Sequence, residues 1–144
     1  MSHNAGKVLM GSSESSGKEI TNYPSVSDTV VEAGCVCILE STGKVSKDTS
    51  EGSIVGLSVG KDLAHTNRTA VARKGIRVPL KLASGFTPTV GARVAIQDDT
   101  GLGKAYTGTG DRYVNAVYAS SKIVGIGEDG LDKDVALIDF PGGL

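Results

Sequence analysis

The sequence predicts an all-β protein: a small β-barrel or β-sandwich with an internal pseudo-repeat, preceded by an extended N-terminal arm. Three observations carry this reading. From Val30 onward, short apolar runs are broken every 8 to 12 residues or so by turn signals, the mark of closely spaced strands. No window keeps a 3.6-residue period long enough to demand a helix, although 60–66 could form one turn. Finally, the stretch GCVCILESTG at 34–43 returns as GARVAIQDDTG at 91–101, with glycines, apolar beats and turn chemistry in the same order.

Taken along the chain, residues 1 to about 25 are rich in Gly, Ser, Asn, Lys and Glu, with isolated apolar residues. Such a segment cannot offset an ordering cost of about 1–2 kcal/mol per residue. It is expected to be an extended or disordered arm: either a frayed tail, or a segment that gains order on a neighbouring subunit or partner, with Val8, Leu9, Ile20 and Tyr23 as the residues that would engage it. Residues 26–144 then form a single domain. Strands are expected over 35–40, 53–59, 69–73, 76–82, 92–97, 113–119, 122–127 and 134–139.

The breaks between these strands have specific chemistry. Ser41-Thr42-Gly43, Asp98-Asp99-Thr100-Gly101 and Glu128-Asp129-Gly130 supply side chains that bond their own backbone, followed by a glycine that accepts positive φ. Pro79 and Pro88 lack an amide donor, which assigns their segments to edges, bulges or strand starts. Within the strands, Val94, Ile96, Ile123, Val124 and Ile138 are expected in the core, with Ile54 and Val55 as first-half counterparts.

The repeat extends beyond its opening strand. Gly34–Ile38 answers to Gly91–Ile96 at a spacing of 57 residues, Ser53–Leu57 to Lys122–Ile126 at 69, and Thr69–Ala72 to Asp134–Leu137. The drift implies a longer insertion around Thr107–Ala119 in the second copy. Two intertwined halves of one small barrel or sandwich are expected.

Composition narrows the function. The chain has 144 residues, one domain by length, and 20 glycines, about twice ordinary usage, with no Trp. Its core should be thin, so help from neighbouring subunits would be a natural supplement. Net charge is -1 with basic residues scattered, which gives no electrostatic footprint for nucleic acid or anionic lipid. No apolar run approaches a signal peptide or a membrane span, and a reducing, cytosolic setting is expected.

Each motif that could carry chemistry reads better as structure. Gly56-Leu-Ser-Val-Gly60-Lys61-Asp62 has three residues between its glycines where a phosphate loop needs four, and Asp follows the Lys. Cys35 and Cys37 are one residue apart in an alternating strand, with Cα atoms about 6.5–7 Å apart, and are expected to be reduced core thiols. The acidic stretch 128–134 lacks the rhythm of a calcium loop, and Asp98-Asp99 suits a hairpin turn. With neither a nucleophile motif nor a cofactor motif, the chain reads as a structural or binding protein that needs no cofactor or metal and is not an enzyme.

At this point the pattern resembles the small decoration, or cement, proteins of tailed-bacteriophage capsids. The resemblance covers about residues 28–140. It rests on VVEAGCVCIL, SEGSIVGLSVG, VARKGIRVPL, TVGARVAIQDDTG, SKIVGIGEDG and VALIDF in that order, behind a polar arm. It implies a protein made in the host cytoplasm that binds the major capsid protein on the exterior of the virion, as a homotrimer, and stabilises the expanded head. The alternatives are a virion- or cell-surface module that binds glycans, against which stands the shortage of aromatic platforms, and a small enzyme or carrier barrel.

Overall fold

A computed structural model of the chain describes residues 16–61, 67–106, 112–124 and 134–144. These residues form nine strands: β1 Ser16–Pro24, β2 Val36–Glu40, β3 Val45–Ser46, β4 Gly52–Lys61, β5 Arg68–Lys81, β6 Arg93–Ile96, β7 Gly103–Lys104, β8 Arg112–Tyr118 and β9 Val135–Phe140. The all-β class holds, in a strongly curled antiparallel sheet of order β3-β2-β4-β5-β9-β8-β6-β7, with β1 also on β5.

That order is two copies of one five-strand unit sharing β5. In the first unit β1 pairs with the N-terminal half of β5, which pairs with β4, then β2, then β3. In the second, the C-terminal half of β5 pairs with β9, then β8, β6 and β7 in turn. Each unit curls until its third strand meets the residue beyond its first strand in a parallel bridge, Ser25 with Val45 and Leu82 with Gly103.

Backbone hydrogen bonds repeat residue for residue. Gly34 N–H donates to Ser58 O (2.8 Å) and Ser58 N–H to Cys35 O (2.8 Å); Gly91 N–H donates to Tyr118 O (2.7 Å) and Tyr118 N–H to Ala92 O (2.9 Å). The turn bonds Glu40 to Lys44 (2.9 Å) and Gly43 to Glu40 (3.0 Å) recur as Gln97 to Leu102 (2.8 Å) and Gly101 to Gln97 (3.3 Å). Even the turn after the first strand recurs: Thr29 N–H bonds Val26 O at 3.0 Å and Phe86 N–H bonds Ala83 O at 3.2 Å.

These bonds and the strand registers correct two expected equivalences: Thr69–Ala72 answers to Ala136–Asp139, two residues beyond the expected Asp134–Leu137. The counterpart of β4 is β8, not residues 122–126. Among the latter, Ile123 makes an isolated antiparallel bridge to Val135, Val124 is 64% exposed, and 125 onward lie outside the described residues. A shared Ile-Val-Gly tripeptide therefore misdirected the alignment, because strand equivalence is set by register and not by composition. The expected strands 69–73 and 76–82 are likewise one strand, β5, which passes from one unit to the other through an irregularity opposite β9 between Gly75 and Val78.

Part of the segment expected to be an arm is a strand, and residues 1–15 of it lie outside the described residues. Ser16–Pro24 is a strand in register with β5, from Ser16 opposite Ile76 to Pro24 opposite Arg68. It is the first-unit equivalent of the second half of β5, so deletion through residue 25 would remove a structural strand and not a tail. Polar residues at 16–19 and 21–22 hide it in the sequence; its order comes from main-chain pairing.

Two apolar clusters follow the two units. Val31, Cys35, Cys37, Val45 and Val71 are buried inside the first, with Tyr23, Leu39 and Val55 against them. Leu80, Val94, Ile96, Tyr118 and Ile138 belong to the second, and Val36, Leu57 and Ala72 join them from the opposite face of the first unit's strands. Of the expected core residues, Val94, Ile96 and Ile138 are buried, Ile54, Val55 and Ile123 half-buried, and Val124 exposed.

The units fill their interiors differently. In the first, Ser25 Oγ and Thr69 Oγ1 share a buried hydrogen bond of 2.7 Å, and Val45 is fully buried. In the second, Leu82 and Ala136 stand at the equivalent positions, Tyr118 replaces Ser58, and Gly103 replaces Val45. Gly103 is a packing requirement: a Cβ there would lie 2.7 Å from Tyr118 Oη, 2.9 Å from Leu80 Cδ2 and 3.0 Å from Leu82 Cδ2.

Candidate interaction surface

The reactive side chains that are described are engaged in structure. Cys35 and Cys37 are free thiols inside the first unit. Cys35 Sγ donates to Glu32 Oε1 at 3.5 Å and Cys37 Sγ to Cys35 O at 3.8 Å. Burial first, then the Glu32 carboxylate, pushes the Cys35 thiol up to about 12, and burial pushes Cys37 higher still. Neutral thiols are poor nucleophiles and poor metal ligands, so both act as small apolar residues.

Asp98 and Asp99 hold the two units together. Thr49 Oγ1 donates to Asp98 Oδ1 at 3.2 Å and to Asp99 Oδ1 at 3.3 Å, Thr49 N–H donates to Asp99 Oδ1 at 3.3 Å, and Arg112 Nε pairs with Asp98 at 3.3 Å. Lys81, 3% exposed, is held by Glu32 at 3.4 Å. Gly56–Lys61, the phosphate-loop lookalike, is the second half of β4. Tyr118 Oη is buried with no hydrogen-bond partner, and burial raises its pKa. Among the described residues no group of His, Cys, Asp and Glu is arranged to hold a metal ion. No helix among them is long and apolar enough to cross a membrane.

Of the four residues expected to engage a partner, Val8 and Leu9 lie outside the described residues. Ile20 and Tyr23 are both on β1, but three residues apart on a strand puts them on opposite faces. Ile20 is 45% exposed opposite Ala72, whereas Tyr23 packs against the first unit's interior cluster. They do not form one anchor.

Glu19, which precedes Ile20 in β1, lines a groove with Ile54, Val55, Arg73, Lys74 and Gly142–Leu144. Glu19 and Lys74 pair across its wall at 3.3 Å. Its lining combines the charged Glu19, Arg73 and Lys74 with the apolar Ile54 and Val55, the mixed chemistry of grooves that take extended peptides. A second exposed surface escaped the sequence reading. On the second unit Val117 is 44% and Tyr106 45% exposed, with the Arg93 guanidinium 6.0 Å from the Tyr106 ring centroid. Its signal lay in the repeat itself, where Val36 becomes Arg93.

No protein-family model matches this chain, and no curated protein sequence is similar to it.

Proposed function

We propose that this chain is a structural decoration, or cement, protein that binds the outer surface of a tailed-phage head as a homotrimer and stabilises the expanded shell, with the major capsid protein as its partner. The observation that supports the reading is the coincidence of five of the six family-like blocks with strands of the duplicated fold, SKIVGIGEDG making only the isolated bridge at Ile123 within the described residues. VVEAGCVCIL runs into β2, SEGSIVGLSVG covers most of β4, VARKGIRVPL lies within β5, TVGARVAIQDDTG spans β6 and its turn, and VALIDF is β9.

The physical logic suits a repeated lattice. A trimer offers three modest contacts to three equivalent sites, and linked binding raises avidity by a factor of about 10² to 10⁴ without any single strong contact. Contact would be made through residues 1–15 and the adjoining exposed side of β1, where Ile20 and the Ile54–Val55 groove supply apolar surface to an extended partner segment.

The test is to add full-length protein, and protein lacking residues 1–15, to expanded capsids and measure occupancy and shell heat resistance. Full-length protein is expected to saturate the shell and raise its disruption temperature, and the truncated form to bind more weakly. Capsids left bare by the full-length protein would overturn the proposal.

A further inference from the structure

β4 and β5 are neighbours over only part of their lengths. β5 pairs with Leu57–Lys61 of β4 as far as Ala72, and from Gly75 it pairs with β9. The strands part at Gly56, where a Cβ would lie 2.4 Å from Ala72 O. Before that point Gly52–Ile54 pair with β2 on one side and, among the described residues, with no strand on the other. An edge of this kind presents main-chain N–H and C=O groups that template a further strand.

The groove at Ile54 and Val55 lies at this parting, a space of about 320 Å³ lined by described residues alone. Ile54 and Val55 of β4 are half-buried there, while Arg73 and Lys74 of β5 and Glu19 of β1 are exposed. Lys74 Nζ pairs with Glu19 at 3.3 Å, but the Arg73 guanidinium has no hydrogen-bond or ion-pair partner among the described residues. Two cations thus face one carboxylate among the lining side chains.

Resting on the reading of this groove as a seat for an extended segment, we infer that it takes a strand of a partner protein beside Gly52–Ile54, with a carboxylate of that strand on Arg73. Main-chain bonds to the open edge select an extended backbone, and the flanking side chains select its sequence. Ile54 and Val55 favour apolar side chains on the incoming strand, and Arg73 an acidic one. A guanidinium holds a carboxylate through two parallel N–H bonds, an arrangement that neutral or cationic side chains cannot match. A basic segment would bring a third cation to the groove, and like-charge juxtaposition rejects it.

The probes are fluorescein-labelled hexapeptides added to the full chain and followed by anisotropy: Val-Glu-Val-Glu-Val-Thr, the same peptide with lysine for each glutamate, and the glutamate peptide N-methylated at every residue. The glutamate peptide is expected to bind at least about tenfold more tightly than either control. Arg73→Glu, at an exposed side chain with no partner to lose, should abolish the charge preference; Arg73→Gln, a neutral replacement, serves if the glutamate variant does not fold. No binding of the glutamate peptide, equal binding of the two charged peptides, binding that survives N-methylation, or a preference left intact by the Arg73 variant overturns the inference. Peptide binding beside bare capsids would instead refute the decoration role alone, and loaded capsids without a peptide preference would refute only the acidic strand.

Discussion

Gly103 and Tyr118 of the second unit occupy the places of Val45 and Ser58 in the first. If the units are one fold packed in two ways, the two positions must be coupled: the small residue is tolerated only beside the large one. Gly103→Val alone puts a Cβ within 3.0 Å of three side-chain atoms, on Tyr118, Leu80 and Leu82. Its cost should be at least the 1–3 kcal/mol or so typical of overpacking. Tyr118→Ser alone removes a fully buried ring that meets Phe86 at 5.9 Å and leaves a cavity, for about 3–5 kcal/mol. In the double variant the valine moves into the vacated space, and the combined loss should fall short of the sum by about 1–3 kcal/mol. Urea unfolding of the four proteins, extrapolated linearly to water, measures that difference. Losses that add to within about 0.5 kcal/mol would show that the sites do not share space and would refute the equivalence.

Other perturbations follow from the same geometry. Ser27 and Asp28 both have positive φ in a tight turn where the second unit uses Ser84 and Gly85, so Ser27→Asn with Asp28→Gly should raise stability by about 1 kcal/mol, read as a higher urea midpoint. Ile138→Ala, at a fully buried site, should cost about 2–5 kcal/mol, whereas Val124→Ala should change stability by less than about 0.5 kcal/mol; equal melting temperatures would contradict the core assignment. The folded state raises both cysteine pKa values above the ordinary 9.0, so it binds their protons more tightly than the unfolded chain. The resulting stability is fully present below pH 9 and is lost as the pH rises above it, by roughly 1 kcal/mol for each thiol over the first pH unit above that value. Cys35→Ala with Cys37→Ala should flatten that part of the unfolding profile, and an unchanged slope would mean that the thiols ionise freely when folded.

The parts of the fold legible in the sequence are those that side chains encode. The β2 and β6 segments announced themselves because each has a leading glycine at positive φ, an alternating or apolar run and a turn ending in another such glycine. The kinship of β4 and β8 was illegible because it resides in backbone bonds: GSIVGLSVGK and RYVNAVY have little in common beyond register. β1 was missed for a related reason, since SGKEITNYP is ordered by main-chain pairing to β5 more than by its own apolar residues. On β1 the odd spacing of Ile20 and Tyr23 already places them on opposite faces of the strand, which is legible in the sequence once the strand is recognised. The charge of Arg93 stands out only against Val36, its equivalent in the first copy.

The measurement that bears most directly on the proposed role is co-sedimentation of the purified protein with tailed-phage heads before and after expansion, followed by bound protein per capsid subunit. A cement protein is expected to load the expanded shell to a fixed ratio consistent with trimers at repeated sites, and to leave the unexpanded shell bare. Failure to load either shell, or unsaturable binding to both alike, would contradict it.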